Sequence, residues 1–161
     1  MIAVGLFCSR KDATVENLVI DSTCSFTGIS AGALSASADG SLIVRNTTNK
    51  ATVTGNQKLG AFIGVAEDLE QPTVISFEDC VNEANVTATR SYVGGFVGSV
   101  SSNANITFTV SNSANNGNVN GNEQYVGGFV GFIFNNTIIN MNVFNFTNSG
   151  TVSGSRGSVG G

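Results

Sequence analysis

Short runs in which apolar and polar positions alternate fill this chain. In Leu42-Ile43-Val44, Ile75-Ser76-Phe77, Phe108-Thr109-Val110 and Met141-Asn142-Val143 the outer two positions are apolar and the middle one is mostly polar. Alternation with period two predicts a strand with one buried face. A second set encloses one valine between polar neighbours: Thr52-Val53-Thr54, Asn85-Val86-Thr87, Asn118-Val119-Asn120 and Thr151-Val152-Ser153. A third sets Phe62, Phe96 and Phe129 among glycines. No segment carries a full helical stripe. Ala13–Ile20, with its acidic side, comes nearest and leaves a short helix open beside the strand reading.

These sets recur at one interval. The heptad YVGGFVG stands at Tyr92–Gly98 and again at Tyr125–Gly131. A second motif starts at Asn49, Asn82, Asn115 and Asn148, each 33 residues after the last. The glycine register runs Gly60, Gly94, Gly127, Gly160, with spacings of 34, 33 and 33. Gly32-Ala33-Leu34 is a weaker copy and Val4-Gly5-Leu6-Phe7 a worn one. Two interleaved motifs in constant phase define a repeat. Its units are approximately 4–31, 32–58, 59–92, 93–125 and 126–158, with another opening at 159. The expectation is one solenoid segment over residues 1–161 of a longer array.

Three strands per unit, separated by Asn, Gly and Ser, predict an all-β fold: a right-handed parallel β-helix with one three-strand turn per repeat and about five turns. Turns stacked about 4.8 Å apart place like residues on one another. Phe62, Phe96 and Phe129 are then an interior stack, with glycines allowing close backbone approach, and Val53, Val86, Val119 and Val152 a second one. Asn49, Asn82, Asn115 and Asn148 are expected at corners, in the left-handed conformation and as an amide ladder. The column Asn46, Asp79, Asn112, Asn145 reads the same way. Both ends should expose unpaired strand groups and associate end to end.

Composition narrows the function. Charged residues make up 11% of the chain, against roughly 25% in typical domains, and the net charge is −4 without a Lys/Arg cluster. Nucleic acid and anionic membrane have no electrostatic footprint here. No apolar run is long enough to span a membrane as a helix. Histidine is absent, and the acids, chiefly Glu67, Asp68, Glu70, Glu78, Asp79 and Glu83, do not pair as a catalytic dyad would. The glycine heptad lacks the Lys of a phosphate loop. Cys8, Cys24 and Cys80 are irregularly spaced and read as small core residues, with a Cys24–Cys80 disulfide left open. Neither a metal nor a cofactor is called for.

NNGNVNGNEQYVGGFVG (Asn115–Gly131) resembles the GLUG motif, with Phe96 and Phe129 where that motif has leucine. SFEDCVNEANVTA (Ser76–Ala88) is similar to that family in placing a small residue ahead of the Asn turn. The resemblance covers about Gly32 to Gly161, is strongest from Leu59 onward, and fails over the first thirty residues. It implies large secreted or surface-attached repeat proteins, often adhesin-like, and repeat regions attached to bacterial immunoglobulin-A-cleaving peptidases. It implies no catalytic residue within the repeats.

The expected function is therefore a non-catalytic structural and interaction module of a cell-surface or secreted repeat protein. Its partners would be host or neighbouring-cell surface glycans or proteins. A glycan-binding or polysaccharide-processing β-helix is the alternative. Thr52, Thr54, Asn85, Thr87, Asn118, Asn120, Thr151 and Ser153 should form an outward, uncharged face suited to glycan contact. Five N-x-[ST] sequons occur, at Asn46, Asn85, Asn105, Asn135 and Asn145. Asn105 and Asn135 are the candidate glycosylation sites, since Asn46 and Asn145 fall in a predicted ladder.

Overall fold

The computed structural model describes residues 2–10, 12–67, 72–101, 105–134 and 138–161. Every strand pairing in it is parallel and joins one repeat to the next, which makes a β-solenoid. Each rung passes through four sheets rather than the three strands expected. A glycine sheet holds the short strands Ala3–Val4, Ser30–Gly32, Leu59–Gly60, Val93–Gly94, Val126–Gly127 and Val159–Gly160. A second sheet holds Phe7–Arg10, Ser35–Ala38, Ile63–Glu67, Val97–Ser101 and Val130–Ile133. The long sheet includes Leu42–Arg45, Thr73–Glu78, Asn105–Asn115 and Ile138–Asn148. The valine sheet holds Ser25–Gly28, Thr52–Gly55, Val86–Ala88, Val119–Gly121 and Val152–Gly154. Sequence reading merged the glycine and second sheets because the bend between them lies inside one apolar motif.

The columns stack in the expected register: Leu42, Ile75, Phe108 and Met141 align, as do Val53, Val86, Val119 and Val152. Ala13–Glu16 and Val19–Ile20 are strands that extend the long sheet, so the helical alternative falls away. The worn copies are true rungs. Val4 pairs Ala31, and Ala31 pairs Leu59. The 34-residue step between Gly60 and Gly94 lies in the corner before the glycine sheet, because Gly55 aligns with Ala88 but Leu59 with Val93.

Phe62, Phe96 and Phe129 stack as predicted, with centroids 4.8 and 5.4 Å apart. Their rings are tilted by 50° and 44° rather than offset-parallel, because Phe77 and Phe146 wedge edge-on between them. The glycines follow from close approach. A Cβ on Gly98 would lie 2.5 Å from the Leu59 nitrogen of the rung below, and one on Gly131 2.5 Å from the Val93 nitrogen. The glycine and second sheets thus touch backbone to backbone, and any side chain there would force them apart.

Both asparagine columns carry amide bonds between rungs, but only one of them holds the left-handed corner that sequence reading assigned to both. The left-handed corner belongs to Asn17, Asn46, Asp79, Asn112 and Asn145, with φ of 56°, 44°, 53°, 48° and 54°. Asn49, Asn82, Asn115 and Asn148 are not left-handed; they form the ladder. The amide nitrogens of Asn49, Asn82 and Asn115 donate to the next Asn Oδ1, at 2.9, 2.7 and 2.7 Å, and all four donate to the carbonyl two residues on. Asn49, Asn82 and Asn115 are fully buried, so these bonds offset the cost of taking amides out of water.

Of the cysteines only Cys80 is buried; Cys8 and Cys24 are exposed and all three are free thiols, which corrects the core reading and closes the disulfide option. Cys80 shares a column with Thr47 and Ser113. Each bonds the carbonyl two residues earlier, at 2.9 Å from Thr47, 2.8 Å from Ser113 and 3.3 Å from the Cys80 thiol. Burial pushes that thiol up to about 11.

Candidate functional site

The valine sheet exists because one residue per rung points inward, fully buried at Val53, Val86 and Val119 and half-buried at Phe26 and Val152, which turns both neighbours outward. Two outward columns result. Ser25, Thr52, Asn85, Asn118 and Thr151 form one; Thr27, Thr54, Thr87, Asn120 and Ser153 form the other. All eight predicted residues are brought together here. Thr54 and Asn120 are half-buried and the other six exposed.

Hydrogen bonds run up these columns and decide which groups remain outward. The Oδ1 atoms of Asn85 and Asn118 accept the backbone N–H of Asn118 and Thr151, at 3.0 and 2.9 Å. Among the described residues their amide nitrogens have no partner, which leaves them as donors on this face. Thr27 and Thr54 share a hydroxyl bond of 2.8 Å, and the Ser153 hydroxyl donates to Asn120 Oδ1 at 2.6 Å. The face carries no charge of its own. Inter-rung ion pairs border it on both sides, Lys50–Glu83 at 3.5 Å and Arg90–Glu123 at 3.6 Å. Arg45 lies between Glu16 and Glu78 at 2.8 and 3.0 Å, so stacked charges alternate in sign there too. The arrangement offers hydrogen bonds from a flat, neutral lattice. Among the described residues no cluster of His, Cys, Asp or Glu could hold a metal.

The sequons separate by geometry. Asn46 and Asn145 use their amide nitrogens on Asn17 and Asn112, at 2.7 and 3.0 Å, so the atom a glycan would join is engaged. Asn105 is exposed at the start of its strand. Asn135 lies outside the described residues. Asn85, passed over in the sequence reading, presents its amide nitrogen on the flat face.

Sequence reasoning missed an outer aromatic cluster. Tyr92 and Tyr125 stack within 5° of parallel at 5.5 Å, with Phe132 at 5.2 and 4.2 Å and Phe134 beside Tyr92 and Phe132. One rung lower the corner position holds Lys58, which pairs with Glu67 at 3.6 Å. The signal was the first letter of the heptad: Lys58, Tyr92 and Tyr125 are all left-handed, with φ of 56°, 65° and 62°. Comparison with family models, with curated proteins and with solved structures found no match to this chain.

Proposed function

We propose that this chain is a non-catalytic structural and interaction module of a cell-surface or secreted repeat protein, adhesin-like in the sense the GLUG resemblance implies, and that its valine-sheet face contacts glycans. The observation that carries the reading is the two-column array of neutral hydroxyls and amides, held rigid by bonds between rungs. A rigid array needs little ordering when it binds, and repeated weak contacts add through avidity. Glycan hydroxyls match such donors and acceptors, and the flanking ion pairs leave the face electrically neutral toward them.

A glycan-array screen of the chain tests this. Binding is expected, and it should fall at least tenfold in a Thr87→Lys, Asn120→Lys double variant that keeps its fold by circular dichroism. An array without signal, or one indifferent to both substitutions, would return the face to ordinary outer surface.

A further inference from the structure

Three asparagines on the valine sheet are turned the same way. The Oδ1 atoms of Asn85 and Asn118 each accept a backbone N–H from the rung above, at 3.0 and 2.9 Å. A backbone N–H can only donate, so it fixes which end of the amide faces it: the oxygen is spent and the nitrogen is kept. Asn120 spends its Oδ1 on the Ser153 hydroxyl, at 2.6 Å. Among the described residues none of the three amide nitrogens has a partner. Asn85 and Asn118 are both exposed and follow one another in a single column, with Thr52 a rung below and Thr151 a rung above. This middle stretch of the face is therefore rich in N–H groups and poor in amide acceptors.

That polarity selects among the groups a glycan carries. Neighbouring rungs lie about 4.8 Å apart and an N–H···O bond spans about 2.9 Å, so one oxygen set between Asn85 and Asn118 is within reach of both nitrogens. A carbonyl oxygen has two lone pairs to meet them and no hydrogen of its own. A sugar hydroxyl there accepts equally well, but its hydrogen then needs an acceptor. Both asparagine oxygens are spent, and the Thr52 and Thr151 hydroxyls stand one rung further off. A donor left unmade in a closed contact weakens binding. Carboxylates and sulfates also only accept, but they gain little here: Lys50 and Arg90 at the borders are paired with Glu83 and Glu123, and the net charge is −4. We propose that the valine-sheet face takes acetylated glycans, an acetyl carbonyl oxygen bridging the amide N–H groups of Asn85 and Asn118. The same carbonyl is offered by an acetamido group and by an acetate ester. This rests on the glycan reading of the face and names the group that the face selects.

The probes are three hexasaccharides on one β-1,4-glucan backbone, titrated calorimetrically onto the full chain: cellohexaose, its O-acetylated form, and fully N-acetylated chitohexaose. At least one acetylated hexamer should bind about tenfold or more tighter than cellohexaose, and which one does so identifies the source of the carbonyl. Two variants, checked for folding by circular dichroism, remove the Asn118 N–H groups. In Asn118→Asp a carboxylate oxygen still accepts the Thr151 N–H, and an acceptor replaces the donor. Asn118→Thr sets in the column a residue it already holds at positions 52 and 151. In both, the preference for acetyl should shrink to about twofold or less. Three hexamers bound alike would overturn this proposal and leave the glycan reading standing. A preference that survives both variants would overturn it by placing the acetyl group elsewhere. No binding of any hexamer overturns it too, while the array and the Thr87→Lys, Asn120→Lys variant decide the wider reading separately.

Discussion

The fourth and fifth rungs carry the same pattern and have opposite environments. Phe108 and Val110 are 0% and 1% exposed; Met141 and Val143, their partners one rung on, are 45% and 51% exposed. Asn115 is buried with two donated bonds, and Asn148 is half-buried with one. A residue in a solenoid is therefore enclosed by the rung above it as much as by its own pattern. The same side chain in the same column should matter several-fold more in the middle than at the open end.

The largest test places a charge in the valine column. Val119→Asp should cost about 3 kcal/mol or more, because the carboxylate would have no partner between two rungs. Val152→Asp, at the half-buried last position, should cost about 1 kcal/mol or less. Urea midpoints measure both, and equal losses would break the comparison.

The ladder sharpens it. Asn82→Ala removes the acceptor of the Asn49 N–H and the donor to Asn115 in one step, so about 2–3 kcal/mol is expected. Asn148→Ala leaves the Asn115 N–H short of one acceptor and the half-buried Gly150 carbonyl short of one donor, and should cost about 1 kcal/mol.

Cysteine chemistry reads enclosure without unfolding. A thiol reagent at pH 8 should modify Cys8 and Cys24 quickly and Cys80 only after denaturation. The folded Cys80 thiol is raised from 9.0 to about 11, so between those values the folded chain holds a proton that the unfolded chain releases. Its contribution is complete below pH 9 and is lost as pH rises toward 11. Cys80→Ser, which can keep the bond to the Glu78 carbonyl, should remove that part of the alkaline slope in pH-dependent unfolding.

The smallest effect has the opposite sign. Ser99 is fully buried and its hydroxyl has no partner among the described residues. Ser99→Ala should leave stability unchanged or raise it by about 1 kcal/mol in thermal unfolding. A loss would show that the hydroxyl is satisfied, and that enclosure at this position resembles the ladder.

The outward face was legible residue by residue, because a strand with a buried valine dictates where its neighbours point. Its bonding was not, since whether Asn85 keeps its oxygen or spends it on the Asn118 backbone depends on the rung above. The aromatic cluster was hidden for the same reason. Tyr125 and Phe132 are seven positions apart and meet only because the glycine and second sheets fold back to back at 4.2 Å between ring centroids.

By itself the sequence determined the repeat, the parallel stacking, the membership of each apolar column and the outward set on the valine sheet. These follow from two periodicities, the two-residue pleat and the recurring interval, which are local properties of the chain. Only the tertiary structure decided that a rung has four sheets, that Asn46 and its column hold the left-handed corner, and that Asn49 and its column form the buried ladder without it. Corners and ladders are satisfied between rungs, and an amide cannot choose its partner until the next rung is in place.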